Sequence, residues 1–213
     1  MVIMNTLNYR YFPGLCLFML FFIVAGPSGA ANDPLEQVRA TVQGIIGVMQ
    51  NKDLQQADKK DQRQAAIMKY VNQRFDFEEM SKLTLASKWR ERTPEEKKNF
   101  QELFADLLKN SYLGRIEAYS GEKVQYEREI FDSDQRTRAI VYTKVIKNNQ
   151  EIPINYMMLN KQGEWYVYDV KIEGVSLVRN YRTEFARIIS EEKYAGLIKR
   201  MKEKIASREE AKK

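Results

Sequence analysis

The stretch WYVYDVKIEGVSLVRNYRTEFARII, residues 165–189, joins two different periodicities and decides how the chain is organised. Its first part alternates with a period of two, which predicts a β-strand. One face of that strand is expected to carry Tyr166, Tyr168, Val170 and Ile172, and the other Trp165, Val167, Asp169 and Lys171. Glu173-Gly174 ends the alternation, because glycine adopts backbone angles that other residues avoid. From Leu177 the apolar residues follow helical spacing, so the stretch predicts the last strand of a sheet and a helix folding back over it.

The segment upstream of this strand predicts the rest of the sheet. Alternating residues indicate strands at 123–131, 136–146, 151–159 and 164–172. Turn-forming residues separate them at Asp132-Ser133-Asp134, Asn148-Asn149 and Lys161-Gln162-Gly163. Short connections of this kind join antiparallel neighbours, which predicts a meander. Pro153 lacks an amide hydrogen, so the third strand is expected at an edge of the sheet, or with a bulge there.

The first half of the chain predicts helices with recognisable starting signals. Asp33-Pro34-Leu35-Glu36 and Thr93-Pro94-Glu95-Glu96 both place a capping residue before proline and a glutamate three positions later. Asp76 is expected to cap a short helix, and the helix after Thr93 is expected to run to about Tyr119. The predicted fold is therefore α+β: a four-stranded antiparallel meander sheet wrapped by about six helices and enclosing an apolar cavity.

The first 31 residues resemble a secretory signal peptide. Arg10 precedes an apolar core of roughly ten residues, too short to span a membrane. Small residues then predict cleavage after Ala30 or Ala31, with an uncleaved anchor as the alternative. The expected organisation is a cleaved leader at 1–31, one domain at 32–206 and a charged flexible tail at 207–213.

The composition argues against common hydrolytic chemistry. The chain contains no histidine, and its single cysteine, Cys16, lies in the predicted leader. A processed chain then has no disulfide, no thiolate or imidazole zinc site and no Ser-His or Cys-His nucleophile pair. The net charge of +6 could suit nucleic acid, but an exported protein rarely meets it. An anionic membrane surface is therefore the expected partner of the basic residues.

One long motif resembles a known family. The run W-x-V-x-D-x-x-I-E-G-V-S-L-V-x-N-Y-R-x-x-F, from Trp165 to Phe185, is similar to the signature of the MlaC family, also called toluene-tolerance auxiliary proteins. Shorter matches lie upstream at Phe75-Asp76-Phe77, Trp89, Tyr112, Tyr119-Ser120-Gly121 and Ile152-Pro153-Ile154. The resemblance covers nearly all of the chain after the leader.

The resemblance implies a function for the domain. Members of this family are periplasmic phospholipid carriers that maintain outer-membrane lipid asymmetry. The implied partners are phospholipid, an inner-membrane ABC transporter with a lipid-binding ring and an outer-membrane lipoprotein complex, with no nucleic acid. The resemblance also implies bound phospholipid as cargo rather than a cofactor, no metal and no catalytic residue.

Alternation and helical spacing give a set of candidate cavity residues. Tyrosines suit the mouth of such a cavity, because a buried phenol needs a hydrogen-bond partner at a wet edge. The expected lining consists of Leu103, Leu107, Tyr112, Ile140, Tyr142, Tyr156, Met158, Tyr166, Tyr168, Val170, Val175, Leu177 and Tyr181. The alternative for each residue is ordinary core packing.

Several charged residues are candidates for contacts outside the cavity. The expected contacts to a lipid head group or a protein partner are Arg179, Arg182, Lys88 and Arg90. Their alternative role is ion pairing on a solvated surface. Asp169 and Glu173 recur in the family motif and are expected to bond backbone groups or Arg182 rather than to catalyse a reaction.

Three other functions stay open at this point. A related subfamily is associated with hopanoids, so a polycyclic lipid is an alternative cargo. The apolar face could instead bind a protein, which would make the domain a non-catalytic periplasmic adaptor. An acid–base enzyme is the third alternative, with Asp169 and either Tyr156 or Tyr168 as the only pair the sequence offers.

Overall fold

The computed structural model describes residues 33–210, and the predicted leader lies outside these residues. Within the described part the helices are α1 (Pro34–Gln50), α2 (Lys60–Arg74), α3 (Phe77–Leu85), α4 (Ser87–Arg90), α5 (Pro94–Glu117) and α6 (Leu177–Glu210), with a short 3-10 turn at Ala57–Lys59. The strands are β1 (Lys123–Phe131), β2 (Arg138–Lys147), β3 (Gln150–Lys161), β4 (Glu164–Ile172) and β5 (Val175–Ser176). The α+β prediction is confirmed. Across residues 33–210, no helix combines the length and apolar character that a membrane span needs.

Helix starts follow the predicted signals, with one exception. Thr93 and Glu96 form a reciprocal capping box before α5, and the Asp76 carboxylate accepts a hydrogen bond from the Glu79 amide at 3.0 Å before α3. Asp33 occupies the cap position of α1, but its side chain does not cap the helix. It pairs instead with Arg136 at 3.1 Å, which ties the start of α1 to the β1–β2 loop.

The sheet is an antiparallel meander with strand order β1-β2-β3-β4-β5. It has five strands rather than the predicted four, because the chain pairs once more after the Glu173-Gly174 turn, with Ile172 opposite Val175. The two-residue connections Asn148-Asn149, Gln162-Gly163 and Glu173-Gly174 all have positive φ at both positions. That geometry belongs to type I′ turns, whose twist matches that of the flanking strands.

A bulge in β4 changes which residues face inward. Pairing with β3 shifts between Asp169, opposite Met157, and Val167, opposite Met158, which leaves Tyr168 as an extra residue. Trp165 and Val167 therefore lie on the inner face of the sheet, in one hydrophobic cluster with Val170. Tyr166 and Tyr168 lie on the outer face, where Arg138 stacks over the Tyr168 ring at 5.3 Å. The predicted assignment of faces was wrong for the first half of this strand, since strict alternation cannot anticipate a bulge.

Two hydrophobic clusters hold the elements together. The first joins α3, α5 and α6 and contains an aromatic group in which Phe104 contacts Tyr181 edge-on at 5.3 Å and Phe185 at 5.9 Å. The second packs the inner face of the sheet against Val38 of α1. The clusters meet around Phe75, which belongs to the margin of both.

Helix α6 is capped by Asp169 of β4 and is broken once. The Asp169 carboxylate accepts hydrogen bonds from the Val178 amide at 3.0 Å and from the Ser176 hydroxyl at 2.5 Å. Lys193 leaves the helical region, with φ 64° and ψ −178°. The second half of α6 returns to the first cluster and continues to Glu210, through the start of the segment predicted as a flexible tail.

Candidate ligand-binding cavity

An apolar cavity of about 510 Å³ lies between the inner face of the sheet and helices α1, α2, α3 and α5. Its volume falls within the range of small-molecule pockets. Much of its wall comes from the second half of α1, from α2 and from the C-terminal half of α5. The apolar wall includes Val42, Ile45, Ile46, Met49, Met68, Val71, Phe77, Met80, Leu108, Ile116, Val124, Val145, Ile152, Ile154 and Ile172.

Charged residues gather at one end of this cavity. Glu122 precedes β1, Lys147 ends β2 and Glu173 follows β4, so the antiparallel order brings them to the same end of the sheet. Arg115, near the end of α5, also lines the cavity there. An apolar interior with most of its charged residues at one end resembles the environment of an amphipathic ligand, whose polar part stays near water.

The Glu122 carboxylate is the most strongly perturbed group at this end. It lies 2.9 Å from the Lys147 ammonium, and it accepts a hydrogen bond from the Ser120 amide at 2.7 Å. These contacts, led by the hydrogen bond from Lys147, lower the pKa of Glu122 to about 2. The side chain is only 8% exposed, so this ion pair fixes the start of β1 against the end of β2.

Tyrosine phenols supply the neutral polar groups of the cavity. Burial raises the pKa of Tyr156, and burial together with the nearby Tyr181 phenol raises the pKa of Tyr112. Both phenols therefore stay protonated and can donate hydrogen bonds at physiological pH. Arg115 lies over the Tyr112 ring at 5.6 Å, which places a guanidinium next to one of these donors.

The structure places only some of the predicted lining residues on the cavity wall. Tyr112, Tyr156, Val170 and Leu177 line it. Leu103, Leu107 and Tyr181 instead belong to the α3–α5–α6 cluster, because the stripe of α5 that holds the two leucines faces α6, which holds Tyr181. Met158 is fully buried among the residues that pack the sheet on α1.

The other predicted lining residues lie on other surfaces. Ile140 and Tyr142 are partly buried on the outer face of the sheet, where Arg128 stacks over Tyr142 at 4.7 Å. Tyr166 and Tyr168 share that face because of the β4 bulge. Val175 is 60% exposed on β5, beyond the Glu173-Gly174 turn. The sequence could not separate these residues from the lining, because both faces of the sheet are apolar.

None of the predicted head-group or partner contacts reaches the cavity. Arg179 and Arg182 are exposed on the first turns of α6, and Lys88 and Arg90 are exposed on α4. Lys88 pairs with Glu91 at 2.8 Å. The charged residues that do line the cavity are Lys109, Arg115, Glu122, Lys147 and Glu173. Their position at or next to the end of a strand or helix was the available signal for Arg115, Glu122, Lys147 and Glu173.

The geometry of Asp169 matches the expectation that it bonds the backbone. Both carboxylate oxygens of Asp169 accept hydrogen bonds at the start of α6. The donors are the Val178 amide and the Ser176 hydroxyl rather than Arg182. The residue is 8% exposed and lies away from the Tyr156 side of β4. Asp169 and Tyr156 therefore do not share one pocket, as one form of the enzyme hypothesis requires.

Fold and cavity together define a small α+β domain whose apolar cavity suits an apolar or amphipathic ligand. Comparisons with known proteins agree with that class. The chain belongs to the MlaC family, which it matches over residues 39–203, and the resemblance seen in residues 165–185 is thereby confirmed.

Two similar proteins have names that refer to toluene tolerance or to phospholipid transport. The toluene tolerance protein ttg2D of Pseudomonas putida is 27% identical over 159 residues, which cover 74% of this chain and 73% of that protein. The intermembrane phospholipid transport system binding protein MlaC of Haemophilus influenzae is 27% identical over 141 residues, covering 64% of each chain.

A solved structure has the same fold. The phospholipid-binding protein of Ralstonia solanacearum, determined in complex with a phospholipid, superposes with a TM-score of 0.72 and 24% sequence identity. The match covers 83% of this chain and 98% of that one. A likeness at this level of identity establishes a shared architecture.

Proposed function

We propose that this protein binds phospholipid in the 510 Å³ cavity and carries it through an aqueous compartment. The observation that carries the proposal is an apolar cavity, charged at one end, in a member of the MlaC family. The names of its relatives in Haemophilus influenzae and Ralstonia solanacearum, which refer to phospholipid transport and phospholipid binding, support the choice of ligand.

The full proposal also includes a cellular compartment and protein partners. Residues 1–31 direct export to the periplasm, residues 32–206 form the binding domain, and the protein acts without catalysis. Lipid passes between an outer-membrane lipoprotein complex and an inner-membrane ABC transporter with a lipid-binding ring, which maintains outer-membrane lipid asymmetry. Arg179, Arg182, Lys88 and Arg90 are candidates for contacts with these protein partners, because all four are exposed.

The energetics of lipid tails explain why such a carrier needs an enclosed cavity. A two-chain lipid has about 30 methylene groups, each worth ~0.8 kcal/mol on leaving water, or roughly 24 kcal/mol in total. Tails therefore cannot cross water uncovered. A cavity that never opened would also release its cargo too slowly, so transfer requires a change in the wall or a continuous apolar path into the partner.

The charged end of the cavity suits the lipid head group. Arg115 presents a cation from α5, with the Tyr112 phenol beside it, and Lys147 of β2, which is paired with Glu122, presents a second. A phosphodiester carries one negative charge and accepts hydrogen bonds from such groups. We therefore place the phosphate near Arg115 and Lys147, with the tails directed toward Phe77 and Met80.

The decisive experiment identifies lipid in the organic extract of purified protein by mass spectrometry. Near-stoichiometric phospholipid is the expected result, whereas a hopanoid would replace the proposed cargo. Protein that is empty and takes up no lipid from vesicles would overturn the carrier proposal in favour of a protein-binding adaptor.

A matched pair of variants connects the lipid to this cavity. Ile154→Trp places a larger ring in the cavity and should reduce bound phospholipid at least tenfold, because Ile154 lies on the wall. Ile140→Trp changes a partly buried isoleucine of the outer face and should leave lipid content unchanged. Equal lipid content in the two variants would contradict the proposed location.

A further inference from the structure

The outer face of the sheet is left uncovered by the other described elements. Helices α1, α2, α3 and α5 lie on the inner face, around the cavity. Neither hydrophobic cluster includes a residue of the outer face, and Ile130 on it is 45% exposed. Such a face is available to a partner outside the chain. By strand register, its apolar and aromatic side chains include Ile130, Ile140, Tyr142, Met157, Leu159, Tyr166 and Tyr168.

Four cations on this face have no carboxylate partner. Lys123 and Arg128 belong to β1, Arg138 to β2 and Lys171 to β4. The register places each of these side chains on the outer face, opposite other outer residues. None of the four makes an ion pair within residues 33–210. The face therefore presents positive charge that the described part of the chain does not neutralise.

The acidic side chains around this face are already engaged. Glu127 and Glu151 both bind the Lys144 ammonium, each at 2.9 Å. The Asp169 carboxylate is used at the start of α6. Glu164, at the beginning of β4, approaches an arginine of α2 at 3.9 Å. The positive charge of the face is therefore open to an anion from outside the chain.

Two of these cations are held over tyrosine rings. The Arg128 guanidinium lies 4.7 Å from the centre of the Tyr142 ring, and that of Arg138 lies 5.3 Å from the centre of the Tyr168 ring. Stacking orients a guanidinium and leaves its N–H groups able to bind phosphate oxygens. Tyrosine is also enriched where proteins meet lipid head groups, because its ring is apolar and its hydroxyl is polar. These residues suit a surface of lipid phosphates.

The spread of the cations favours a membrane over an acidic patch on a protein. Lys123 pairs with Ile146 of β2, eight residues from Arg138, which is about 26 Å at ~3.3 Å per residue. Lys171 lies three strands away from β1, or roughly 14 Å across the sheet. Phosphates of an anionic lipid surface are distributed over an area of this size. A single cluster of carboxylates would reach only some of the cations.

We propose that the outer face of the sheet docks this protein reversibly on an anionic membrane surface through Lys123, Arg128, Arg138 and Lys171. Each basic residue near such a surface contributes roughly fivefold to the affinity. Salt screens these contacts, so the attachment is weak enough to reverse. In the docked protein the helices point away from the membrane. The charged end of the cavity, at the end of the strands, lies at the perimeter of the contact and stays accessible.

Vesicle flotation tests the docking. The purified protein should float with vesicles of phosphatidylglycerol and phosphatidylcholine at low salt, and should not float with phosphatidylcholine alone or at high salt. Arg128→Gln together with Arg138→Gln should lower the partition coefficient about 25-fold. Lys98→Gln together with Lys202→Gln is the control, because it removes the same charge from exposed positions on α5 and α6. The control pair should lower the coefficient by less than about twofold.

The outcomes separate docking from cargo binding. Equal losses of flotation in the two pairs of substitutions would overturn the outer face as the docking site. Wild-type protein that stays unbound in the presence of phosphatidylglycerol vesicles would overturn membrane docking itself. Lipid held in the cavity, counted by native mass spectrometry, should be the same in all three proteins. Loss of flotation only in step with loss of that lipid would also contradict the proposal.

A fluorophore on the outer face reports the orientation of the docked protein. Ile130→Cys is made together with Cys16→Ser, so that the label has a single thiol to react with. An environment-sensitive dye at this position should shift its emission to shorter wavelength with phosphatidylglycerol vesicles. The same dye at Lys202→Cys, on α6, should not respond. A shift at both positions, or at neither, would contradict docking by the outer face.

Discussion

At the scale of single residues, Asp169 shows how one carboxylate connects a strand to a helix. It lies in β4, yet it supplies the hydrogen-bond acceptors for the start of α6, several residues further along the chain. Ser176 completes the cap by accepting from the Arg179 amide at 3.0 Å. The D-x-x-x-E-G-V-S portion of the family motif is thus explained by geometry: a strand, a tight turn and a capped helix.

Replacing Asp169 should reduce stability. Asp169→Ala removes a helix cap, worth about 1 kcal/mol, and leaves the Ser176 hydroxyl without its partner, which adds about 1–2 kcal/mol. Asp169→Asn keeps one acceptor oxygen and should cost less. Urea denaturation measures both values. Lipid binding by the folded Asn variant should match that of the wild type; loss of a catalytic turnover in that variant would instead favour an enzyme.

Glu122 should give the protein a distinct loss of stability in acid. Its pKa falls from the ordinary 4.5 to about 2 in the folded state, chiefly through Lys147 and Ser120. The contribution is therefore complete above about pH 4.5 and disappears as the pH falls toward 2. Thermal unfolding of wild type and Glu122→Gln should show the wild type losing its advantage across this window. A constant difference between the two proteins would contradict the assignment.

At the scale of elements, helix α1 contains two glycines with opposite surroundings. A Cβ added at Gly44 would overlap the Tyr70 ring of α2, whereas a Cβ at Gly47 meets no heavy atom within 4 Å. Gly44 therefore permits the close approach of α1 to α2, and Gly47 has no such role in the described residues.

Alanine substitutions should separate these two glycines. Alanine in a helix interior is favoured over glycine by roughly 0.5–1 kcal/mol, so Gly47→Ala should stabilise the protein by about that amount. Gly44→Ala should destabilise it by about 1–3 kcal/mol, because the ring of Tyr70 must move. Chemical denaturation of the pair provides the measurement, and a stabilised Gly44→Ala would contradict the tight α1–α2 contact.

The elements differ in how well sequence determines them. Strands β1 and β4 have the predicted bounds, because turn residues and alternation mark their ends. Strand β3 was expected at an edge or with a bulge at Pro153; it is an interior strand, and its pairing with β2 is regular at Pro153. Strand β4 ends opposite Ile154, so no neighbouring strand needs the missing amide hydrogen. The β4 bulge and the α1–α2 wall could not be predicted, because both depend on how separate elements pack.

At the scale of the whole molecule, the cavity sets a balance between stability and function. A rigid empty cavity of 510 Å³ would cost on the order of 10 kcal/mol. Typical domains are stable by about 5–15 kcal/mol in total. The empty protein must therefore admit water to the cavity, contract around it or lose much of its stability, and bound ligand restores what is lost.

Removing lipid should consequently lower the melting temperature. A ligand present at 100 times its Kd stabilises the folded state by about 2.7 kcal/mol. For a domain of this size that corresponds to roughly 5–10 °C. Differential scanning calorimetry of lipid-loaded and delipidated protein measures the shift. Ile154→Trp, with its cavity partly obstructed, should show a smaller difference, and identical melting of both wild-type forms would argue against a ligand-supported cavity.

The type I′ turns of the sheet also set the order in which the chain reaches its folded state. Strands β1 to β4 pair with their nearest neighbours in sequence, whereas the bond from Trp165 to Gln37 in α1 spans 128 residues. Short loops close with little loss of entropy, so the hairpins should form early and α1 should dock late. In pulsed hydrogen exchange during refolding, amides of β2 and β3 should gain protection before those of α1. Helix α1, which precedes every other described helix in the chain, is then the last to dock.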